Sequence, residues 1–313
     1  GKLNPLFRIV RFAAIDIGSN AVRLMITNVF ERANGPLYIK DSLYRVPVRL
    51  GEEAFHSGNF TDEKISDLTA TMQAFRLLMD VHRILGYKAY ATSAMREANN
   101  GHLAISRVKE EAYIDIEVIS GQKEASVILH SEFGNRNSDQ TRYYLYIDVG
   151  GGSTELVYFH QGKVLASQSF RIGTLRVLNN QVDLDTWAEM KNWIEQNRPG
   201  RRPPITAIGS GGNINKLIKV YGRARENYLT QDQVQQAFEH LGSMSYGERV
   251  RDLGLKPDRA DVILPATQIF HRVMQWANIR RVIVPKFGIS DGIIAEVYEE
   301  YRQSVTQARV LPI

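Results

Sequence analysis

Two short stretches of this 313-residue chain place an acid before a tight polar turn. One is Tyr146-Ile147-Asp148-Val149-Gly150-Gly151-Gly152-Ser153-Thr154-Glu155-Leu156, which reads as strand, glycine turn and strand, with an acid at each end of the turn. The other is Phe12-Ala13-Ala14-Ile15-Asp16-Ile17-Gly18-Ser19-Asn20-Ala21-Val22-Arg23-Leu24, whose Asp16, Gly18 and Leu24 match Asp148, Gly150 and Leu156 at a single offset of 132. Consecutive glycines remove side chains where backbone must come close to a ligand, and their amides can then point at an anion. Carboxylates beside such a turn suit Mg2+, which is bound by one or two of them together with water and substrate phosphate. Ser19 and Asn20, with residues 150–154, add amides and hydroxyls that can follow charge as it moves during phosphoryl transfer. Each aspartate alone also reads as a cap of its own turn. The repetition favours function, and implies two duplicated halves with a ligand cleft between them.

Other residues fit the same chemistry. Arg96 follows a strand in TSAMREANN, where a guanidinium can grip phosphate with two donors. Open α/β sheets bind ligands at the carboxyl ends of strands, which distinguishes it from an ordinary surface arginine. Glu124 stands in the first turn of a helix after Ser120-Gly121, placed to orient and deprotonate a water, although a helix start favours any glutamate. Ser210-Gly211-Gly212-Asn213, between a strand and a helix, offers a second anion or nucleotide contact. None of the seven histidines has HxH or HExxH spacing, which argues against zinc. Lys40, Arg45, Arg49, Lys191, Arg198, Arg201 and Arg202 either line a polyanion path or form solvated faces.

The elements that must hold these residues alternate. A hairpin over residues 11–29 hinges at Ser19-Asn20, and a third strand follows over 37–50, interrupted by Pro47 as an edge strand would be. Thr61, followed by Asp62 and Glu63, predicts a capped helix running to Gly86. Strands at 87–93 and 114–119, each followed by a helix, then give a largely parallel sheet after an antiparallel start. Residues 134–142 (GNRNSDQTR) read as the link between halves. The second half restarts with strands at 143–149, 153–160 and 163–170, a helix from Asp183 through Gln196 and a strand into Ser210. Helices over 230–241, 245–253 and 258–276, a strand at 281–284, a final helix over about 290–303 and a loose tail complete it. The fold class is α/β, with domains over 1–134 and 135–313 and the final helix packing back on the first.

Composition is that of an ordinary soluble chain. There is no cysteine, so thiolate chemistry and disulfides are excluded. No run of about 18 apolar residues spans a bilayer, and a cytoplasmic protein is expected. A formal charge of +5 favours acidic partners or nothing in particular.

Taken together, DIGSNAVRL, ATSAMREANN, VISGQKEAS and YIDVGGGSTEL resemble, in order and spacing, the exopolyphosphatase / guanosine pentaphosphate phosphatase family of the actin-like, sugar-kinase and Hsp70 ATPase superfamily. The resemblance covers about residues 10 to 300. It implies two duplicated ribonuclease-H-like (actin-like ATPase) domains and an Mg2+-dependent hydrolase. The substrate would be inorganic polyphosphate or a phosphorylated guanosine nucleotide, with neither nucleic acid nor membrane as partner. Position by position, it implies Glu124 as catalytic glutamate, Arg96 as phosphate-gripping arginine, and Asp16, Asp148 and Glu155 as metal and phosphate positions. Ser19, Asn20, Gly150, Gly151, Gly152 and Ser153 match the phosphate loops, and Gly211 and Gly212 are retained as substrate contacts on the helix-start argument.

The sequence departs from the family pattern at Lys123, often an acid, and at Ser290-Asp291, more often Arg-Glu. Longer members append a helical domain related to HD phosphohydrolases. The expectation is therefore a short form favouring shorter polyphosphate, with a homodimer able to rebuild part of a polymer channel. Release of the 5′ phosphate of guanosine pentaphosphate is the alternative. An ATP-dependent kinase using residues 209–213, and a non-catalytic nucleotide or polyphosphate sensor, are the remaining readings.

Overall fold

The computed structural model describes residues 8–133, 141–161, 163–200, 204–285 and 288–310. Its contacts divide the chain into two compact units. The first runs to Ile119 and resumes at Ile289; the second is Ser120–Gly288.

The first unit opens with β1 (Arg8–Ile17) and β2 (Val22–Glu31), an antiparallel pair whose register sets Asp16 opposite Arg23. β3 (Leu37–Val46) pairs with β2 and stops before Pro47, at the sheet edge where a residue without N–H is tolerated. A short α1 (Leu50–Ala54), not expected from sequence, precedes α2 (Asp62–His82). Thr61 caps α2 as its sequence predicts, its Oγ1 accepting from the Lys64 amide, and Ile65, Leu68, Met72, Phe75 and Met79 form the buried stripe. β4 (Gly86–Ala91) lies parallel to β1, α3 (Ser93–Glu97) and α4 (Gly101–Ala112) follow, and β5 (Ile116–Val118) closes the order β3-β2-β1-β4-β5.

The second unit starts with α5 (Gly121–Phe133), which packs on the sheet that follows it. This places the division one helix earlier than 134/135. Most of the expected link, residues 134–140, lies outside the described residues. β6 (Tyr143–Val149), β7 (Thr154–His160) and β8 (Lys163–Phe170) form an antiparallel meander. A second unexpected short helix, α6 (Thr174–Leu178), precedes α7 (Leu184–Asn197), β9 (Ile205–Ser210) and α8 (Gly212–Tyr221). β10 (Tyr228–Thr230) leads through α9 (Gln231–Ser243), α10 (Tyr246–Leu253), α11 (Pro257–Ala260) and α12 (Ile263–Trp276) to β11 (Arg281–Ile283). The sheet order β8-β7-β6-β9-β11-β10 repeats that of the first unit with one added edge strand, so both halves have the expected mixed α/β plan. Its core joins Leu145, Ile147, Leu156 and Tyr158 of the sheet to Met190, Ile194, Ile269 and Phe270 of the covering helices.

α13 (Ile289–Val310) returns to the first unit and packs on β1 and β4, tied by Lys88 to Glu300 at 2.5 Å and by the Tyr90 hydroxyl to Glu296. It runs past Gln303, where a loose tail was expected. β-Branched Val305 and Thr306 weaken helix propensity only slightly, and the hydroxyls of Ser304 and Thr306 bond back to the carbonyls of Tyr301 and Arg302.

Candidate active site

In the second unit the strand register builds a row of oxygen-bearing side chains. Ser210 on β9 pairs with Asp148 on β6, Asp148 pairs with Glu155 on β7, and Glu155 pairs with Ser169 on β8. Directly paired residues share a sheet face, so two carboxylates lie side by side between two hydroxyls. Glu155 is buried, its Oε1 accepting from Ser169 Oγ at 2.7 Å and from Ser153 Oγ at 3.4 Å. On its other side it touches the start of α5. A Cβ at Gly121 would fall 2.2 Å from the Glu155 carboxylate carbon.

One turn into α5, Glu124 is 9% exposed and its amide bonds to the Ser120 carbonyl. Ser120 Oγ accepts from the Lys123 amide and so fixes this first turn. Lys123 itself is exposed. Tyr146, two residues before Asp148 on β6, is fully buried. Burial pushes its hydroxyl well above the usual tyrosine range, and the negative charges of Asp148, Glu124 and Glu155 push it further. It stays protonated and bonds to Ser210 Oγ at 2.8 Å.

The hairpin turn between β6 and β7 is closed by Gly150 N–H to the Ser153 carbonyl, 2.9 Å. Its three glycine carbonyls are all taken by the segment after β8: Gly150 O by Thr174 N–H at 2.9 Å, Gly151 O by Leu175 N–H at 2.9 Å, and Gly152 O by Arg176 Nε at 2.7 Å. Among the described residues, the N–H groups of Gly151, Gly152 and Ser153 meet no acceptor. The Ser210-Gly211-Gly212 turn adjoins this row through Ser210. Gly211 has φ +110°, open to glycine at little cost, and starts α8. Asn213 Oδ1 accepts from Arg259 at 2.8 Å.

In the first unit the equivalent turn has Gly18 N–H bonded to the Ala21 carbonyl, the same closure 132 residues earlier. Ser19 is buried and its Oγ meets Ser93 Oγ at 2.9 Å, which joins the turn to α3, the helix carrying Arg96. Arg96 donates to the Ile119 carbonyl at the end of β5. Asn20 is held by Arg49, whose Nε donates to Asn20 Oδ1 at 3.1 Å and whose amide donates to the Asn20 carbonyl. Asp16 is half-buried at the end of β1. Burial raises its carboxyl above the ordinary range, and Arg23 opposite pulls it back down.

The structure thus gathers Glu124, Asp148, Glu155, Gly150, Gly151, Gly152 and Ser153 in one unit, with Gly211 and Gly212 reached through Ser210. Asp16, Ser19, Asn20 and Arg96 gather in the other. Among the described residues no three His, Asp or Glu side chains form a ready-made metal cage. The paired carboxylates of Asp148 and Glu155 nevertheless fit Mg2+, a hard cation that keeps water and takes one or two carboxylates plus substrate phosphate. Arg49 and Arg198 are not free cations on a polyanion path. Arg49 holds Asn20 and Glu52, and Arg198 holds the carbonyls of Ala277 and Gly200. Arg201 and Arg202 lie outside the described residues. Ser169 and Arg176 escaped the sequence reading: strand register brings Ser169 to Glu155, and α6 brings Arg176 back to the glycine turn.

Residues 42–300 match the Ppx/GppA phosphatase family. The chain is 26% identical to a bifunctional 3-dehydroquinate synthase/phosphatase of Fusobacterium nucleatum over 92% of this chain, but spans only 46% of that protein. It is 26% identical to exopolyphosphatase 2 of Mycobacterium tuberculosis, with 91% of this chain and 98% of that protein covered. A guanosine-5'-triphosphate,3'-diphosphate pyrophosphatase of Photobacterium profundum is 24% identical over 96% of this chain and 62% of its own length. Among solved structures, an exopolyphosphatase from Cytophaga hutchinsonii superimposes with a TM-score of 0.77 at 25% identity, covering 91% of this chain and 96% of that one. Among the described residues no helix is long and apolar enough to cross a membrane.

Proposed function

The chain belongs to the Ppx/GppA phosphatase family, and from that premise we propose that it is a phosphohydrolase releasing terminal phosphate from inorganic polyphosphate, with shorter chains preferred. The observation that carries this reading is the second unit's glycine turn: its carbonyls are bonded by the segment after β8, its Gly151, Gly152 and Ser153 amides meet no acceptor among the described residues, and the paired Asp148 and Glu155 flank it. Backbone amides without a protein acceptor suit phosphate oxygens, and acids beside them suit a water and a cation.

Glu124 takes the proton of a water whose oxygen attacks the terminal phosphorus. The bond to the bridging oxygen breaks, and the shortened polyphosphate departs with that oxygen. Glu124 stands in the first turn of α5, as a general base for this water. The amides of Gly151, Gly152 and Ser153 hold the phosphoryl oxygens, and the hydroxyls of Ser153 and Ser169 keep Glu155 in place. Mg2+, when bound by Asp148 and Glu155, would neutralise phosphate charge. To Asp16, Ser19, Asn20 and Arg96 of the first unit we assign cation and phosphate binding, with Arg96 oriented by the Ile119 carbonyl. Positioning and electrostatics supply most of the rate in such reactions.

Polyphosphate is preferred as substrate because the exopolyphosphatase relative is matched over nearly its whole length. Guanosine pentaphosphate is the second reading, supported by the Photobacterium relative's name. Phosphate release from short polyphosphate, long polyphosphate and guanosine pentaphosphate, each with Mg2+, decides between them. Release from the nucleotide alone moves the substrate, and binding of all three without release makes the chain a sensor.

A further inference from the structure

Arg176 is a cation with 6% of its surface exposed. Arginine is rarely so buried without a purpose for its charge and donors. Its Nε bonds a neutral carbonyl, that of Gly152, and it is the last of three successive residues, Thr174, Leu175 and Arg176, that bind three successive carbonyls of the glycine turn. The segment is anchored from behind as well, since Thr154 Oγ1 donates to the Ile172 carbonyl at 2.6 Å. Its approach depends on Gly173, where a Cβ would fall 2.3 Å from the Gly151 carbonyl oxygen.

A trans peptide is planar, with C=O and the following N–H on opposite sides. Tying down the carbonyls of Gly150, Gly151 and Gly152 therefore fixes the N–H groups of Gly151, Gly152 and Ser153 on the other side. Glycine peptides rotate most easily, so this turn has the most to lose when untied. The buried guanidinium also places a positive charge against the carbonyl side of the turn.

Resting on the hydrolase reading above, we propose that Arg176 is a positioning residue for phosphoryl binding: with Thr174 and Leu175 it locks the three-glycine turn so that its amides form a preorganised anion cradle. It acts through the turn and touches no reacting atom. A residue that merely filled space would be replaceable by an apolar side chain of similar length; a lock needs the guanidinium fork.

The test compares wild type, Arg176→Met, Arg176→Lys and Gly173→Ala by three measurements. These are steady-state phosphate release from short polyphosphate, backbone amide NMR shifts of Gly151, Gly152 and Ser153 on titration with inorganic phosphate, and thermal unfolding. Arg176→Met is expected to lower kcat/KM about 100-fold, the scale of losing one oriented donor to developing charge, and to abolish saturable shifts at the three amides. Arg176→Lys keeps the buried charge and the packing. It is expected to retain the fold, to lose at least about tenfold in kcat/KM, and to show weaker shifts, so that the proposal stands or falls on it if the methionine variant unfolds. Gly173→Ala should act in the same direction from the other end of the segment. Wild-type kcat/KM and wild-type amide shifts in both arginine variants would overturn the proposal. A wild-type protein that shifts these amides but releases no phosphate would remove the hydrolase reading alone, the lock being judged by the variants' shifts. No shift in wild type would remove the cradle itself.

Discussion

The two hairpin turns share a backbone plan and differ in charge. Gly18 and Gly150 each bond the carbonyl three residues ahead, and each turn is gripped by the segment that follows the third strand of its unit: Arg49 and Gly51 in the first, Thr174 to Arg176 in the second. Opposite the strand-end aspartate, however, stands Arg23 in the first unit and Glu155 in the second. Arg45 lies one strand beyond Arg23, whereas Ser169 lies beyond Glu155. One duplicated frame has therefore become a charge-balanced aspartate in one unit and an excess of negative charge in the other. The proposed cation and the proposed chemistry are therefore assigned to the second unit, where the acids pair.

Giving the second unit the first unit's charge should have the largest effect. Glu155→Arg is expected to abolish phosphate release, by about a thousandfold or more, as a second-strand cation replaces an acid at the proposed cation site. Activity near wild type in that variant would break the comparison. Gly121→Ala drives a methyl into the Glu155 carboxylate; a drop of about 100-fold in kcat is expected, with unfolding by heat showing an overpacking loss of about 1–3 kcal/mol. Ser169→Ala removes one hydroxyl from Glu155 and should lower kcat by about tenfold, with a smaller change in unfolding.

In the first unit the sign of the effect on stability reverses. Burial raises the Asp16 carboxyl, so the folded protein holds that proton more tightly than the unfolded chain. Its contribution to stability is fully present below the ordinary carboxylate range and is lost as pH rises through the raised value. Asp16→Asn, studied without divalent cation, is therefore expected to raise the unfolding temperature at neutral pH and to flatten its fall above the carboxylate range, while lowering phosphate release. An unchanged pH profile of stability would show that Arg23 cancels the burial. Far from either turn, Thr230→Ala removes the capping box of α9 and should cost about 1 kcal/mol with kcat untouched.

Much of this was legible in the sequence because it is local. The offset of 132 between Asp16 and Asp148 and the Thr61 cap each depend on a few adjacent residues, and each reappears in the structure, whereas the third strand, expected over 37–50, ends at Val46 before Pro47. The short helices α1 and α6 were not legible, since five residues carry too little periodicity to announce a helix. β10 is three residues long and takes its strand character from pairing with β11. Ser169 near the end of β8 and Arg176 beyond it are remote from the glycine turn in sequence, and only the β7–β8 pairing and the turn into α6 return them to it. Arg49 reads as part of either a polyanion path or a solvated face, whereas in the structure it has φ 56° and its Nε bonds Asn20 Oδ1.

The central claim is that the second unit's acids and glycine turn cleave a phosphoanhydride bond. Its most direct test is phosphate release from short polyphosphate by wild type and Glu124→Gln, alongside equilibrium binding of the same polyphosphate. Release by wild type that falls about 100-fold or more in the variant, with binding within a few-fold of wild type, is the predicted result. Equal release by the two proteins would contradict the assignment of Glu124 and, with it, the account of the site.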